Sequence, residues 1–199
     1  MEELHSQGGN EGARLDTIKY TTVIGALARG GHPGAAEQLL RKMLFEYQSG
    51  NLYAKPEIKT FHAVLSAWSH YQNAEVAATR AQNVIVLMWS LTDDGITPDT
   101  RAYNSVLFCL KSAKAPIQAE ACLREMESFG VAPSRPSYDS VIETWQNSDL
   151  EQADIHISEL RQERHRLFGS GRNGIVDTPR RNRYGNGASH NRGSRFRKW

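Results

Sequence analysis

"GITPDTRAYNSVLFCLKSAKAPIQAEACLREMESFGVAPSRPSYDSV" runs from Gly95 to Val141 and states one phrase twice. Gly95-Ile-Thr-Pro-Asp leads to Tyr103 followed by Asn-Ser-Val, and Gly130-Val-Ala-Pro-Ser leads to Tyr138 followed by Asp-Ser-Val. Between the two phrases, Tyr103, Val106, Leu107 and Leu110 recur at helical spacing, and Ala119, Cys122, Leu123 and Met126 do so again after "KSAKAP". The stretch is therefore one helical hairpin and the start of the next. Gly130 is placed to end the second helix and Pro133 to stop it.

The same phrase occurs upstream as "DTIKYTTVIGALA" and "PEIKTFHAVLSAW", so that Tyr20, Phe61, Tyr103 and Tyr138 open four units. Successive openings lie 41, 42 and 35 residues apart. A second anchor keeps the register: Ala36, Ala77 and Ala119 each stand 16 residues after their aromatic, and Ala153 comes one residue early in the fourth unit. A period of this length marks a solenoid of stacked supersecondary units. No segment alternates with period two, so no strand is expected. "EYQSGNLYAKPE" and "WSLTDDGITPD" read as longer exits from the second helices of the first two units, or as longer helices with a loop. "SDLEQADIHISELRQERHRLF" supplies a closing helix whose polar residues, Glu151 to Arg166, suit a solvent-facing cap.

Composition narrows the function classes. The formal charge is +2, but residues 169–199 carry eight Lys/Arg against one Asp, so the tail holds about +7 and the rest about −5. That tail, rich in Gly, Asn, Ser and Arg with Tyr184, Phe196 and Trp199 scattered through it, lacks the periodicity to fold. It is expected to be disordered, as are residues 1–15, and its chemistry suits nonspecific nucleic-acid contact or a solubilising role. Cys109 and Cys122 read as reduced core residues; no metal site is expected. No run is apolar enough to span a membrane, and the N-terminus, with Glu2, Glu3 and Glu11, has no transit-peptide character. This places the protein in the cytosol or nucleus unless the chain lacks its true beginning. With no phosphate loop, no zinc-protease motif and scattered histidines, no catalysis and no small-molecule cofactor are expected.

The third unit, with its aromatic, Asn, aliphatic pair, Ala-Glu, Glu-Met, Gly-Val and Pro in register, resembles a pentatricopeptide repeat. The resemblance extends over residues 16–168, divided near 17–57, 58–99, 100–134 and 135–168, and is weakest in the second unit, where "VLMW" stands for the Glu-Met element. It implies an all-α, right-handed α-solenoid that binds single-stranded RNA, one base per repeat, read by two or three side chains. In the family, the residue after the opening aromatic and the last residue of the repeat meet the base edge, and the second residue of each repeat packs between bases. Carried onto this chain, the reading pairs are Thr21 with Glu57, His62 with Asp99, and Asn104 with Ser134, while Asp139 lacks a partner. The packing residues are Ile18, Lys59, Arg101 and Pro136. By the same resemblance the Asn104–Ser134 pair favours cytosine, and the protein acts on RNA in a mitochondrion or plastid. The residue chemistry leaves two other roles open. Asp99 and Ser134 precede helices, where their oxygens cap backbone N–H groups, and the same architecture can serve as a protein-interaction scaffold.

Overall fold

The computed structural model describes residues 16–169. Eight α-helices follow in order: α1 (Thr17–Arg29), α2 (Pro33–Gln48), α3 (Ile58–Ser69), α4 (Ala74–Trp89), α5 (Thr100–Ser112), α6 (Pro116–Ser128), α7 (Arg135–Gln146) and α8 (Ala153–Phe168). Among the described residues there is no strand, as the periodicity requires. The expectation of disorder in residues 1–15 and 169–199 falls, Gly169 apart, outside the described residues.

Local chemistry starts and stops the helices. Asp16, Asn73 and Asp99 cap α1, α4 and α5 by accepting the N–H groups of Lys19, Val76 and Ala102 at 2.8, 3.1 and 2.8 Å, each worth about 1 kcal/mol. Pro33 and Pro116 occupy the first turns of α2 and α6, where a missing N–H costs nothing. Gly130 takes φ +73 one residue past the cap of α6, the left-handed conformation that closes a helix end. In the turn between helices, Gly31 has φ +75; its counterpart in the third unit is Lys114, which adopts φ 52 with a side chain attached.

The aromatics that open each unit are pegs of the core, none more than 1% exposed. Ala36, Ala77 and Ala119 are buried beneath them, their small side chains letting the paired helices approach. Ala153, at the start of α8, is only half-buried. Cys109 and Cys122 are free and buried, and burial pushes both thiols up to about 12, which leaves them inert.

The first helices of the hairpins stack on one another, α1 on α3, α3 on α5 and α5 on α7. Each of α2, α4 and α6 packs instead on the first helix of its own unit and on that of the next. The first helices thus form a close inner row and the second helices a more widely spaced outer one, so the array curves around the inner row. Specific bonds fasten the units. The indole N–H of Trp68 donates to Glu37 at 3.0 Å and that of Trp145 to Glu120 at 2.9 Å, the same two positions at two successive-unit boundaries. Between the second and third units the device differs: the Trp89 indole donates to the Tyr103 hydroxyl, which donates to Glu125, both at 3.0 Å.

The long exits prove to be both a longer helix and a loop. α2 and α4 have 16 residues against 13 in α6, and each is followed by a short 3-10 turn, Leu52–Ala54 or Thr92–Asp94. Tyr47 in the extra turn of α2 donates to Asp94 at 2.7 Å, tying the two exits together. Thr17 and Thr100, at the starts of α1 and α5, hold the exits of their own units by bonding the carbonyls of Tyr53 and Ala132 at 3.0 and 2.9 Å.

Candidate nucleic-acid interface

The inner row carries two parallel columns of side chains, one from each opening helical turn. Ile18, Lys59, Arg101 and Pro136 are all exposed, and Thr21, His62, Asn104 and Asp139, three residues further along the same helix face, are all half-buried. An exposed column beside a recessed polar one is the arrangement that packing and reading positions need.

The structure brings together two of the three expected pairs. His62 Nε2 lies 2.9 Å from Asp99 Oδ1, and Asn104 Nδ2 donates to Ser134 Oγ at 3.2 Å. The first pair does not form: the hydroxyl of Thr21 bonds that of Thr60 at 2.9 Å, and Glu57 pairs with Lys59 at 2.6 Å. A further position, which the pairing scheme ignores, also meets the reading residues. Thr60 and Ser137 directly precede the aromatics Phe61 and Tyr138, are completely buried, and point back at the reading position of the preceding unit. Asp139, without a partner by sequence, is paired with Arg164 of α8.

Asp99 makes two contacts at once. Its carboxylate caps α5 through Ala102 N and meets His62. Burial alone raises its pKa, but the Ala102 N–H and His62 outweigh burial and leave the group below the ordinary carboxylate value. Ser134 likewise sits at the start of α7, where its N–H donates to Ser137 Oγ at 2.9 Å while its own hydroxyl faces Asn104.

Two grooves open between the stacked first helices. The first, about 590 Å³, lies between α1 and α3; Arg29, Lys59 and Arg101 line it with His62 and His70, over a floor of Gly25, Ala28 and Ala63. No carboxylate is among its lining residues. The second, about 530 Å³, lies between α3 and α5 and is lined by Asn104, Ser134, Arg101, His70 and Phe108. Phe108 is 42% exposed, and Lys111 Nζ stands 5.2 Å from its ring centre. Arg29, His70 and Phe108 were not among the sequence-derived site residues. Phe108 is nevertheless legible as the residue four beyond Asn104, and Arg29 and His70 each lie nine residues after their unit's aromatic, at the C-terminal end of the first helix.

Groove chemistry is therefore cationic rims, exposed apolar and aromatic surface, and one amide, which suits a flexible anionic chain of flat rings. Among the described residues no group of three or more His, Cys, Asp and Glu is placed to hold a metal ion, and no helix is long and apolar enough to cross a membrane.

Comparison with known proteins agrees with this architecture. A profile of the pentatricopeptide repeat domain matches residues 86–147, from the end of α4 through α7, and one of the PPR repeat matches residues 19–46 in α1 and α2. A pentatricopeptide repeat-containing protein of Arabidopsis thaliana is 30% identical over 110 residues, covering 55% of this chain and 17% of that protein. The chain thus spans about a sixth of the length of this relative.

Proposed function

We propose, from the premise that this chain is a pentatricopeptide repeat protein, that the inner face of α1, α3, α5 and α7 binds single-stranded RNA without catalysing a reaction on it. The observation that carries this reading is the groove between α1 and α3: Arg29, Lys59 and Arg101 line it and no carboxylate does, and even with Lys59 paired to Glu57 beside it the two arginines stand over a chain that is net negative outside its basic tail. Positive charge concentrated on one inner surface of an acidic body is the footprint of a phosphate backbone. The exposed column supports a single-stranded ligand, because Ile18 and Arg101, with Phe108 beside them, offer surfaces on which unpaired bases stack, and paired bases hide theirs. The role we infer is in processing, stability or translation of organellar transcripts, in a mitochondrion or plastid.

Titration of the full chain with labelled single-stranded RNA tests the reading. Affinity falls steeply between low and high salt, and Arg101→Gln weakens binding evenly across sequences and lowers the salt slope by about 1. Equal affinity of wild type and Arg101→Gln at every salt concentration contradicts it. A second reading, a protein-interaction scaffold, is favoured by one feature of the outer row: a cavity of about 680 Å³ beside α6 and α8, where exposed Ile117 and Leu150 surround Trp145.

A further inference from the structure

The four reading positions are not equivalent in what they leave free. The Thr21 hydroxyl is engaged by Thr60. The His62 side chain is only 10% exposed and its Nε2 faces Asp99. Asp139 is engaged by Arg164, and a carboxylate has no proton to offer a base. Asn104 differs from all three. Its Nδ2 donates to Ser134 Oγ at 3.2 Å, Ser134 Oγ lies 3.0 Å from Ser137 Oγ, and Ser137 Oγ donates to Asn104 Oδ1 at 2.6 Å. These contacts close a ring in which each group gives one hydrogen to the next. An amide has two N–H groups and two lone pairs on its oxygen; the two serine hydroxyls, 3.0 Å apart, take the adjacent N–H and lone pair, and the outer N–H and outer lone pair stay free on opposite flanks of the amide at the edge of the second groove.

Ser137 is the member that fixes the amide's orientation. It is completely buried, its position is set by the N–H of Ser134 at 2.9 Å, and its hydroxyl is the group bonded to Asn104 Oδ1. Without that hydroxyl the amide is tethered at one end only. It can then rotate and exchange its free donor with its free acceptor, and a reader that offers both patterns discriminates between neither.

We propose that this chain reads base identity at one place, the Asn104 amide, with Ser137 as the positioning residue that makes the reading specific, while the other three positions contribute affinity without identity. This rests on the RNA-binding reading above and departs from one base per repeat. The position of Ser137 is filled in the second unit by Thr60, so a β-branched side chain with the same hydroxyl is already accommodated there.

The test is selection of the full-length protein against a pool of short single-stranded RNAs with every position randomised, followed by sequencing of the bound fraction. Wild type shows base preference at a single position, about fivefold to thirtyfold between best and worst base. Ser137→Ala brings that preference below about twofold, as Asn104→Ala does, while affinity for the unselected pool falls by less than about threefold. Ser137→Thr restores the preference, an outcome that a merely structural role for Ser137 does not produce. Should Ser137→Ala unfold the fourth unit, Ser134→Ala opens the same ring from its other side and gives the same loss. Preference at two or more positions in wild type overturns the proposal and leaves RNA binding intact, as does undiminished preference in Ser137→Ala. Failure of wild type to bind the pool overturns the RNA-binding reading itself.

Discussion

Tyr103 joins the second unit to the third, and its ring and its hydroxyl do separable work. The residue is 1% exposed, its hydroxyl accepts from Trp89 in α4 and donates to Glu125 in α6, and burial holds its pKa above the ordinary tyrosine value. Tyr103→Phe keeps the peg and removes both bonds. Glu125 is exposed and recovers its lost bond from water, but the Trp89 indole is partly buried, its ring centre 4.6 Å from that of Phe129, and its N–H loses its acceptor. One unsatisfied, partly buried donor costs about 1 to 2 kcal/mol. Tyr103→Ala adds loss of the ring and a cavity, for a total of about 3 to 5 kcal/mol. In urea titrations followed by far-UV circular dichroism, the midpoint should fall modestly for Tyr103→Phe and by two to three times as much for Tyr103→Ala. In thermal melts about 1 kcal/mol corresponds to about 2 to 4 °C for a chain of this size. Equal losses in the two variants would place the whole contribution in the hydroxyl, and no loss in either would refute the peg.

Replacing Lys114 by Gly, which relieves a side chain held at φ 52, should raise stability by about 0.5 to 1 kcal/mol, read as a higher urea midpoint. Glu37→Ala strips the Trp68 indole and Arg41 of a shared, buried acceptor and should cost about 1 to 3 kcal/mol; an unchanged midpoint would mean that this fastening contributes nothing. Alkaline pH should destabilise the fold, because Cys109 and Cys122 are pushed up by burial to about 12 and Tyr103 and Tyr138 are also raised by burial. Groups raised in the folded state release protons first from the unfolded chain, so their stabilisation is intact below pH about 8.5 and declines as pH climbs towards 12. Urea midpoints measured at several pH values above 8 should therefore fall steadily.

What sequence revealed and what it hid follow from one distinction. The hairpins were legible because their determinants repeat: an aromatic peg and a break between helices recur in all four units and a buried alanine in the first three, so each confirms the others. The columns Ile18 to Pro136 and Thr21 to Asp139 were legible for the same reason, being fixed offsets from the peg. The pairing of reading positions was only partly legible, because it depends on which neighbour reaches across a unit boundary. His62 meets Asp99 as the register implies, but Thr21 meets Thr60, whose position in the third unit holds Ala102 and presents no polar group. Nor does a linear reading disclose that Arg164, in the second helix of the last unit, turns back to Asp139. The grooves lie furthest from sequence, since Arg29 and Arg101 share one only after three hairpins have stacked.

Photo-crosslinking of the full-length protein to single-stranded RNA carrying 4-thiouridine, with the attached peptides identified by mass spectrometry, addresses the central claim most directly. If the inner face binds RNA, crosslinks fall on α1, α3, α5 and α7, concentrated at Ile18, Lys59, Arg101 and Phe108 and suppressed by unlabelled single-stranded RNA. Crosslinks confined to α2, α4, α6 and α8, or to the basic residues 170–199 alone, would contradict it.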